Sequence, residues 1–387
     1  MPAIASRLGL NVGSRTHPGQ VRERNEDSYL ALAAPALTPE IDALLVVADG
    51  MGGHQGGEVA STYLVEQLDS LFSSSAYRRL VHYNPEHADY YAAVLKEVLE
   101  QINEELYTLG SNRKELRGMG TTATVALVTE QRLFVGHVGD SRAYLLRDGV
   151  LRLLTQDHSW VAEQVRAGKM SPAEAAVHPR KNVLTRSLGN SLVVRVDRAL
   201  HQLRPGDQLL LCSDGLTNYA SDAELHQAIT THAEPQAACD WLVSLANQRG
   251  GGDNITVLVA RFSGDAKENS LLGQSGRAKG PQREGDAATI TQKIMRPRQS
   301  RRKLNPALVQ GALLGFAAVL LSLAAGAVAY LAASYWTTGL EPILRISREI
   351  AVAVGGAVLL LLGILIGLAL ARLRRSAEPN EAERGTK

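Results

Sequence analysis

Short apolar runs bounded by Gly and Asp fill the first two thirds of the chain. Leu44–Ala48, Thr121–Val128, Leu133–Val138, Arg142–Leu146, Gln208–Cys212 and Ile255–Phe262 have the length and composition of strands. Between them, Glu58–Phe72, Tyr90–Leu109 and Gln236–Gln248 repeat apolar positions at helical spacing, the last opening after Pro235. Six or more strands with only two or three long helices do not alternate as βαβ units. The pattern predicts an α+β fold of antiparallel sheets covered by helices.

The pattern changes after residue 263. Residues 264–303 mix Gly, Ser, Pro, Gln and charge without apolar periodicity and read as a basic polar linker. Leu304 to Leu340 then runs 37 residues without a charge, and Ile350 to Ala371 runs 22. About 20 apolar residues cross a bilayer, so residues 304–387 are expected to form a transmembrane hairpin, with spans near 307–336 and 350–371 and a short tail. Arg296, Arg298, Arg301, Arg302 and Lys303 precede the first span, and Arg372, Arg374 and Arg375 follow the second. The positive-inside bias places the folded domain, residues 1–263, and the C-terminus in the cytoplasm, at the cell membrane. Residues 1–12 show no signal-peptide core.

Charge sharpens this division. The net charge of +2 over 387 residues combines −6 in residues 1–263, +6 in residues 264–303 and +2 in residues 304–387. An acidic folded part argues against a nucleic-acid partner, and the basic stretch suits an anionic lipid face. With 45% apolar and 21% charged residues, the chain is no disordered polymer. Two cysteines, Cys212 and Cys239, are too few for a disulfide framework or a four-Cys zinc site, which points to a reducing compartment.

The aspartates stand at the ends of the apolar runs. Asp49 ends Leu44–Ala48 and precedes Gly50-Met51-Gly52-Gly53. Asp140 ends Leu133–Gly139, Asp214 ends Leu209–Ser213, and Asp253 opens the last strand. Glu26 and Asp27 lie in an acidic stretch near the N-terminus. Singly, each fits a turn. Gathered at one sheet edge they would repel strongly unless a cation lay among them, and oxygen donors without a His or Cys cluster favour Mg²⁺ or Mn²⁺ over zinc. Spacing leaves that convergence open. The Gly-rich run from Gly50 to Gly57 lacks the Lys-Ser/Thr of a nucleotide-phosphate loop.

Arg22-x-x-Asn25-Glu26-Asp27, Asp49-Gly50-Met51-Gly52-Gly53-His54, Gly120-Thr121-Thr122, Gly139-Asp140-Ser141-Arg142, Leu154-Thr155-Gln156-Asp157-His158-Ser159, Ser213-Asp214-Gly215 and Gly252-Asp253-Asn254 follow in order. This series resembles the bacterial branch of the metal-dependent Ser/Thr protein phosphatases, the protein phosphatase 2C family, over about residues 7–263. The resemblance implies a β-sandwich of two antiparallel sheets flanked by helices, a four-layer αββα arrangement with a two-metal cleft at one edge. It implies that Asp49 bridges both Mg²⁺ or Mn²⁺ ions together with the Gly50 carbonyl, and that Asp214 and Asp253 hold one ion. Glu26 and Asp27 would act on the other, and Asp140 with Asp214 would form a weaker third site. Arg22 matches the arginine that grips the substrate phosphate, and residues 157–188 match a mobile flap. Two such ions activate a water for in-line attack on phosphorus.

Met51 stands where eukaryotic members carry a His proposed as the proton donor, which leaves that role open between a metal-held water and His54. The implied substrates are phosphorylated proteins, including a bacterial Ser/Thr kinase beside the membrane anchor. The competing expectation is a catalytically silent, membrane-tethered phosphoprotein-binding or sensor module of the same fold. A degraded site would mark it, yet every proposed acid and Arg22 is present.

Overall fold

The computed structural model describes residues 8–34, 36–52, 55–74, 76, 89–264 and 277–279. The chain divides into two compact units, residues 1–297 and 298–387. Both expected membrane spans fall in the second, outside the described residues. Among the described residues no helix is long and apolar enough to cross a membrane.

Two antiparallel sheets form the centre of the first unit. One orders β1 (Gly9–His17), β12 (Ile255–Ser263), β11 (Gln208–Cys212), β8 (Arg142–Arg147) and β9 (Val150–Leu153). The other orders β10 (Asp197–Gln202), β7 (Arg132–Val138), β6 (Ala123–Thr129), β3 (Ala43–Ala48), β2 (Ser28–Ala33) and β13 (Arg277–Lys279). The last adds a short edge strand within the segment read as linker. A two-residue ribbon pairs β4 (Gly50–Met51) with β5 (Gly120–Thr121).

Why the strands read as unbroken apolar runs follows from what covers them. Ala43, Leu45 and Val47 of β3 face the core between the sheets, where Leu209, Leu211, Leu258 and Phe262 of the other sheet meet them. Leu44, Val46 and Ala48 face a second core under α1 (Gly56–Ser73) and α2 (Tyr90–Asn112). Leu210, Cys212, Val257 and Val259 turn outward beneath α6 (Asp222–Thr231) and α7 (Pro235–Gln248). Both faces of the central strands are dry, so polar alternation disappears from them. The expected four-layer arrangement is what forms. Each fully buried Leu or Val side chain contributes about 1.5–3 kcal/mol relative to exposure.

Between β9 and β10, residues 154–196 form a lobe with two short helices, α3 (Trp160–Arg166) and α4 (Pro172–Val177). Its ends are pinned by bridges from Ser159 to Leu184 and from Thr121 to Leu188. The one-turn α5 (Asp214–Thr217) follows β11 directly.

Candidate active site

Strand register answers the question that spacing left open. Ser28 pairs with Ala48, so Asp27 stands beside Asp49 at one sheet edge. Val47 pairs with Thr124 and Ala123 with Val138, which brings Thr122 and the Gly139-Asp140 turn to the same edge. In the facing sheet, His17 pairs with Ile255 and Cys212 with Val257, bringing Arg22, Asp253 and Asp214 there too. Arg22, Glu26, Asp49, Gly50, Asp140, Asp214 and Asp253 line a single cleft of about 1240 Å³. Of the sequence-predicted site residues only Asp27 lies below it, 6% exposed.

Backbone contacts hold these acids in place. Thr122 clasps Asp49: its amide donates to the Asp49 carbonyl at 2.8 Å, and its hydroxyl accepts from the Asp49 N–H at 2.9 Å. Gly139, at φ +114°, carries the Asp140 turn over Thr122; a Cβ there would lie 2.5 Å from the threonine Cγ2. A side chain at Gly50 would meet the Gly57 carbonyl at 2.2 Å and the Glu26 carbonyl at 2.5 Å, so this loop closes only around glycine. Asn218 donates to Asp214 at 3.1 Å.

Asn254 is the principal residue that the sequence reading did not single out as a site residue. Its Oδ1 accepts from the Glu26 N–H at 2.7 Å, and its Nδ2 donates to the Pro18 and Arg24 carbonyls at 3.0 and 2.8 Å. One amide thereby fastens the 18–26 loop to the start of β12. An Asn directly after Asp253, with a donor and an acceptor on one short side chain, was the available signal. Ser213 and Thr256 were likewise missed; their hydroxyls donate to Asp27 Oδ2 at 2.8 and 2.7 Å.

The electrostatics are those of crowded anions. Burial, then the charges of Asp27, Asp214, Asp140 and Asp253, hold the Asp49 carboxyl well above the usual carboxylate range. Burial and Asp214 raise Asp140, burial and Asp253 raise Asp214, and burial raises Glu26. Asp27 is pushed up to about 7, by burial first. Arg22, half exposed, meets Asp253 Oδ2 with its Nη2 at 2.9 Å.

Among the described residues no three Asp, Glu, His or Cys side chains close on one point as a finished metal cage. The acids instead ring the cleft, and the donor set fits hard divalent cations. It consists of oxygen alone, its members raise one another's proton affinity, and Asp27 Oδ1 is buried with no hydrogen-bond partner.

Beside this ring, two buried histidines are held neutral. His158 Nδ1 accepts from the Gly139 N–H at 3.0 Å, so Nε2 carries the proton and donates to Asp197 at 3.0 Å. His137 donates from Nε2 to the Gln156 carbonyl at 3.1 Å, with Nδ1 3.0 Å from the Thr124 hydroxyl. Burial lowers both, His137 to about 4. They brace the turn and the lobe. Arg142 grips Asp157 with Nε at 2.9 Å and Nη2 at 2.7 Å, tying the strand after Asp140 to the base of the lobe. Cys212 and Cys239 are buried and unbridged, and burial pushes the Cys212 thiol up to about 12, which removes it as a nucleophile. His54, weighed as a proton donor, lies outside the described residues.

A carboxylate-ringed cleft at the edge of a helix-flanked β-sandwich offers oxygen donors suited to hard divalent cations. The profile of the family described as protein phosphatase 2C matches residues 20–246. The serine/threonine phosphatase stp of Listeria innocua is 37% identical over 245 residues, covering 63% of this chain and 93% of the relative. Protein phosphatase PhpP of Streptococcus pneumoniae is 34% identical over 262 residues, 67% of this chain and all of the relative. Among solved structures, the S. agalactiae serine/threonine phosphatase superposes with a TM-score of 0.58 at 35% identity, covering 65% of this chain and 99% of that one. The catalytic domain of the phosphatase PstP in complex with two manganese ions gives 0.55 at 35% identity, covering 66% and 99%. The chain belongs to the protein phosphatase 2C family. It is an enzyme of that class, a serine/threonine protein phosphatase.

Proposed function

We propose that this cleft binds two divalent cations, Mg²⁺ or Mn²⁺, and hydrolyses phosphoserine and phosphothreonine in proteins. The observation that carries the reading is the convergence of Asp49, Asp140, Asp214 and Asp253 on one cleft, with the charge repulsion that raises their proton affinities. Asp49, the Gly50 carbonyl, Asp214 and Asp253 are the donors for the ions, Glu26 and Asp27 serve the second ion, and Asp140 with Asp214 offers a weaker third position. When bound, the cations polarise the phosphoryl oxygens and activate an attacking water.

The chain's own groups orient the ester. Arg22 keeps its charge, since Asp253 raises it further, and its remaining N–H donors are available for phosphoryl oxygens. Met51 lines the cleft and carries no transferable proton, so the leaving alkoxide receives none from that side chain. Asn254 holds the Glu26 backbone and Thr122 holds the Asp49 backbone, while the Asp253 carboxylate is oriented by the Asn254 N–H at 2.9 Å and by Arg22 at 2.9 Å.

Residues 304–387 form the membrane anchor in this reading, supported by the two charge-free stretches and their basic flanks. The domain then works at the cytoplasmic face, reversing the action of a membrane-bound Ser/Thr kinase. Phosphate release from phosphothreonine and phosphotyrosine peptides, with EDTA or Mn²⁺, tests the chemistry. Mn²⁺-dependent release confined to phosphothreonine supports it; release that survives EDTA contradicts it. Membrane fractionation of the full chain beside a truncation at residue 303 tests the anchor, which is refuted if both distribute alike.

A further inference from the structure

The mouth of the cleft carries cations that phosphate hydrolysis itself does not use. Arg24, Lys114 and Arg117 line it together with Arg22. Arg22 is engaged by Asp253, and Arg24 lies in the field of Glu26. Lys114 and Arg117 are exposed and make no side-chain ion pair or hydrogen bond among the described residues.

Their backbone, by contrast, is fixed from below. Lys114–Leu116 forms a single 3₁₀ turn after α2, with Leu116 and Met119 buried in the helix-covered core. The Leu116 N–H donates to the Arg113 carbonyl at 3.1 Å, and the Met119 N–H donates to the Leu116 carbonyl at 3.1 Å. Three residues past Arg117, Gly120 pairs with Met51, two residues after Asp49. Gly120 therefore lies at most about 10 Å from Arg117, the length of about three residues of extended peptide. The two cations thus stand on a fixed turn at the lining of the cleft that also holds Asp49.

Charge argues in the same direction. The carboxylate floor repels an anionic segment, whereas a rim of Arg22, Arg24, Lys114 and Arg117 against Glu23 and Glu115 presents a net positive collar. Asn182, Ser187 and Asn190 of the lobe line the same cleft and offer polar groups to a bound backbone. We propose that Lys114 and Arg117 determine specificity by binding an anionic group that flanks the phosphoserine or phosphothreonine in sequence. The preferred substrates are then acidic or multiply phosphorylated segments. This rests on the phosphatase reading of the cleft.

The test compares kcat/KM of the full chain on phosphothreonine peptides flanked by glutamine, glutamate, lysine or a non-hydrolysable phosphonate residue. Wild type is expected to favour glutamate or phosphonate flanks over glutamine by about five- to tenfold, chiefly through KM, as two exposed charge contacts allow. K114E/R117E is expected to reverse the order in favour of lysine flanks, a gain that misfolding cannot produce. The larger of the two anionic ratios identifies carboxylate or phosphoryl as the source. Equal rates on all flanks in wild type, or an unchanged order in the variant, overturn the proposal. If no peptide is turned over, the phosphatase reading fails. The rim is then judged by the affinities of fluorescent peptides carrying a phosphonate analogue of the phosphothreonine, with the same orders expected.

Discussion

Asn254 shows how much of the site depends on side chains that touch no substrate. Its three bonds to backbone groups of the 18–26 loop leave, on truncation, one N–H and two carbonyls without their partner. Asn254→Ala is expected to lower stability by about 2–3 kcal/mol and to raise the Mn²⁺ concentration that half-restores turnover. Melting curves with and without Mn²⁺ check both; an unchanged Mn²⁺ requirement removes Asn254 from the site. His137 makes a different prediction. Its ordinary value of 6.5 falls to about 4 in the fold because burial disfavours the charged ring. Below pH 6.5 the unfolded chain therefore binds the extra proton, so stability falls as pH drops from 6.5 towards 4, by about 3 kcal/mol at most. The raised carboxyls work in the opposite direction, so the comparison is wild type against His137→Gln. The difference between the two is expected to shrink with acidity across that window, and a constant difference contradicts the assignment.

At the scale of elements, the central strands and the long helices were legible because both faces of those strands are covered. β11 coincides with the predicted Gln208–Cys212, and α2 extends Tyr90–Leu109 by one turn. The edge elements were not. β10 alternates half-buried and exposed residues, and β9 is mostly exposed, so neither shows an apolar run. In the lobe α3 and α4 are too short, at seven and six residues, for helical periodicity to register. The site was legible for a related reason: Asp49, Asp140, Asp214 and Asp253 each abut a readable strand, and only register, which sequence spacing does not give, shows that the acids meet. The close seat of β1 on α7 was also hidden. A Cβ on Gly13 would lie 2.3 Å from the Gln236 nitrogen, and Gln236 bonds both the N–H and carbonyl of Ser14. Gly13→Val is expected to displace α7 and to lower the melting midpoint by several degrees, about 1–3 kcal/mol. A wild-type midpoint contradicts that packing.

For the whole molecule, the architecture brings anions from both sheets to one edge at a cost in electrostatic repulsion, and cation binding relieves that cost. Any ion that binds only the folded state stabilises it, by about 2.7 kcal/mol at one hundred times its dissociation constant. The lobe, the carboxylate ring and the cationic collar then act together on one phosphorylated segment. Lys114 and Arg117 could not be singled out from sequence, because exposed cations are ordinary and only the fold brings them to the cleft that Asp49 lines. The most direct test of the account is the Mn²⁺ dependence of phosphate release from a phosphothreonine peptide, followed with the melting midpoint in wild type and Asp214→Asn. The account predicts that turnover and midpoint rise together with Mn²⁺ in wild type. In the variant, turnover should fall at least a hundredfold, or about 2.7 kcal/mol, and the Mn²⁺-induced rise in midpoint should shrink. Turnover that persists in EDTA, or that Asp214→Asn leaves intact, contradicts a metal-loaded carboxylate ring as the seat of the reaction.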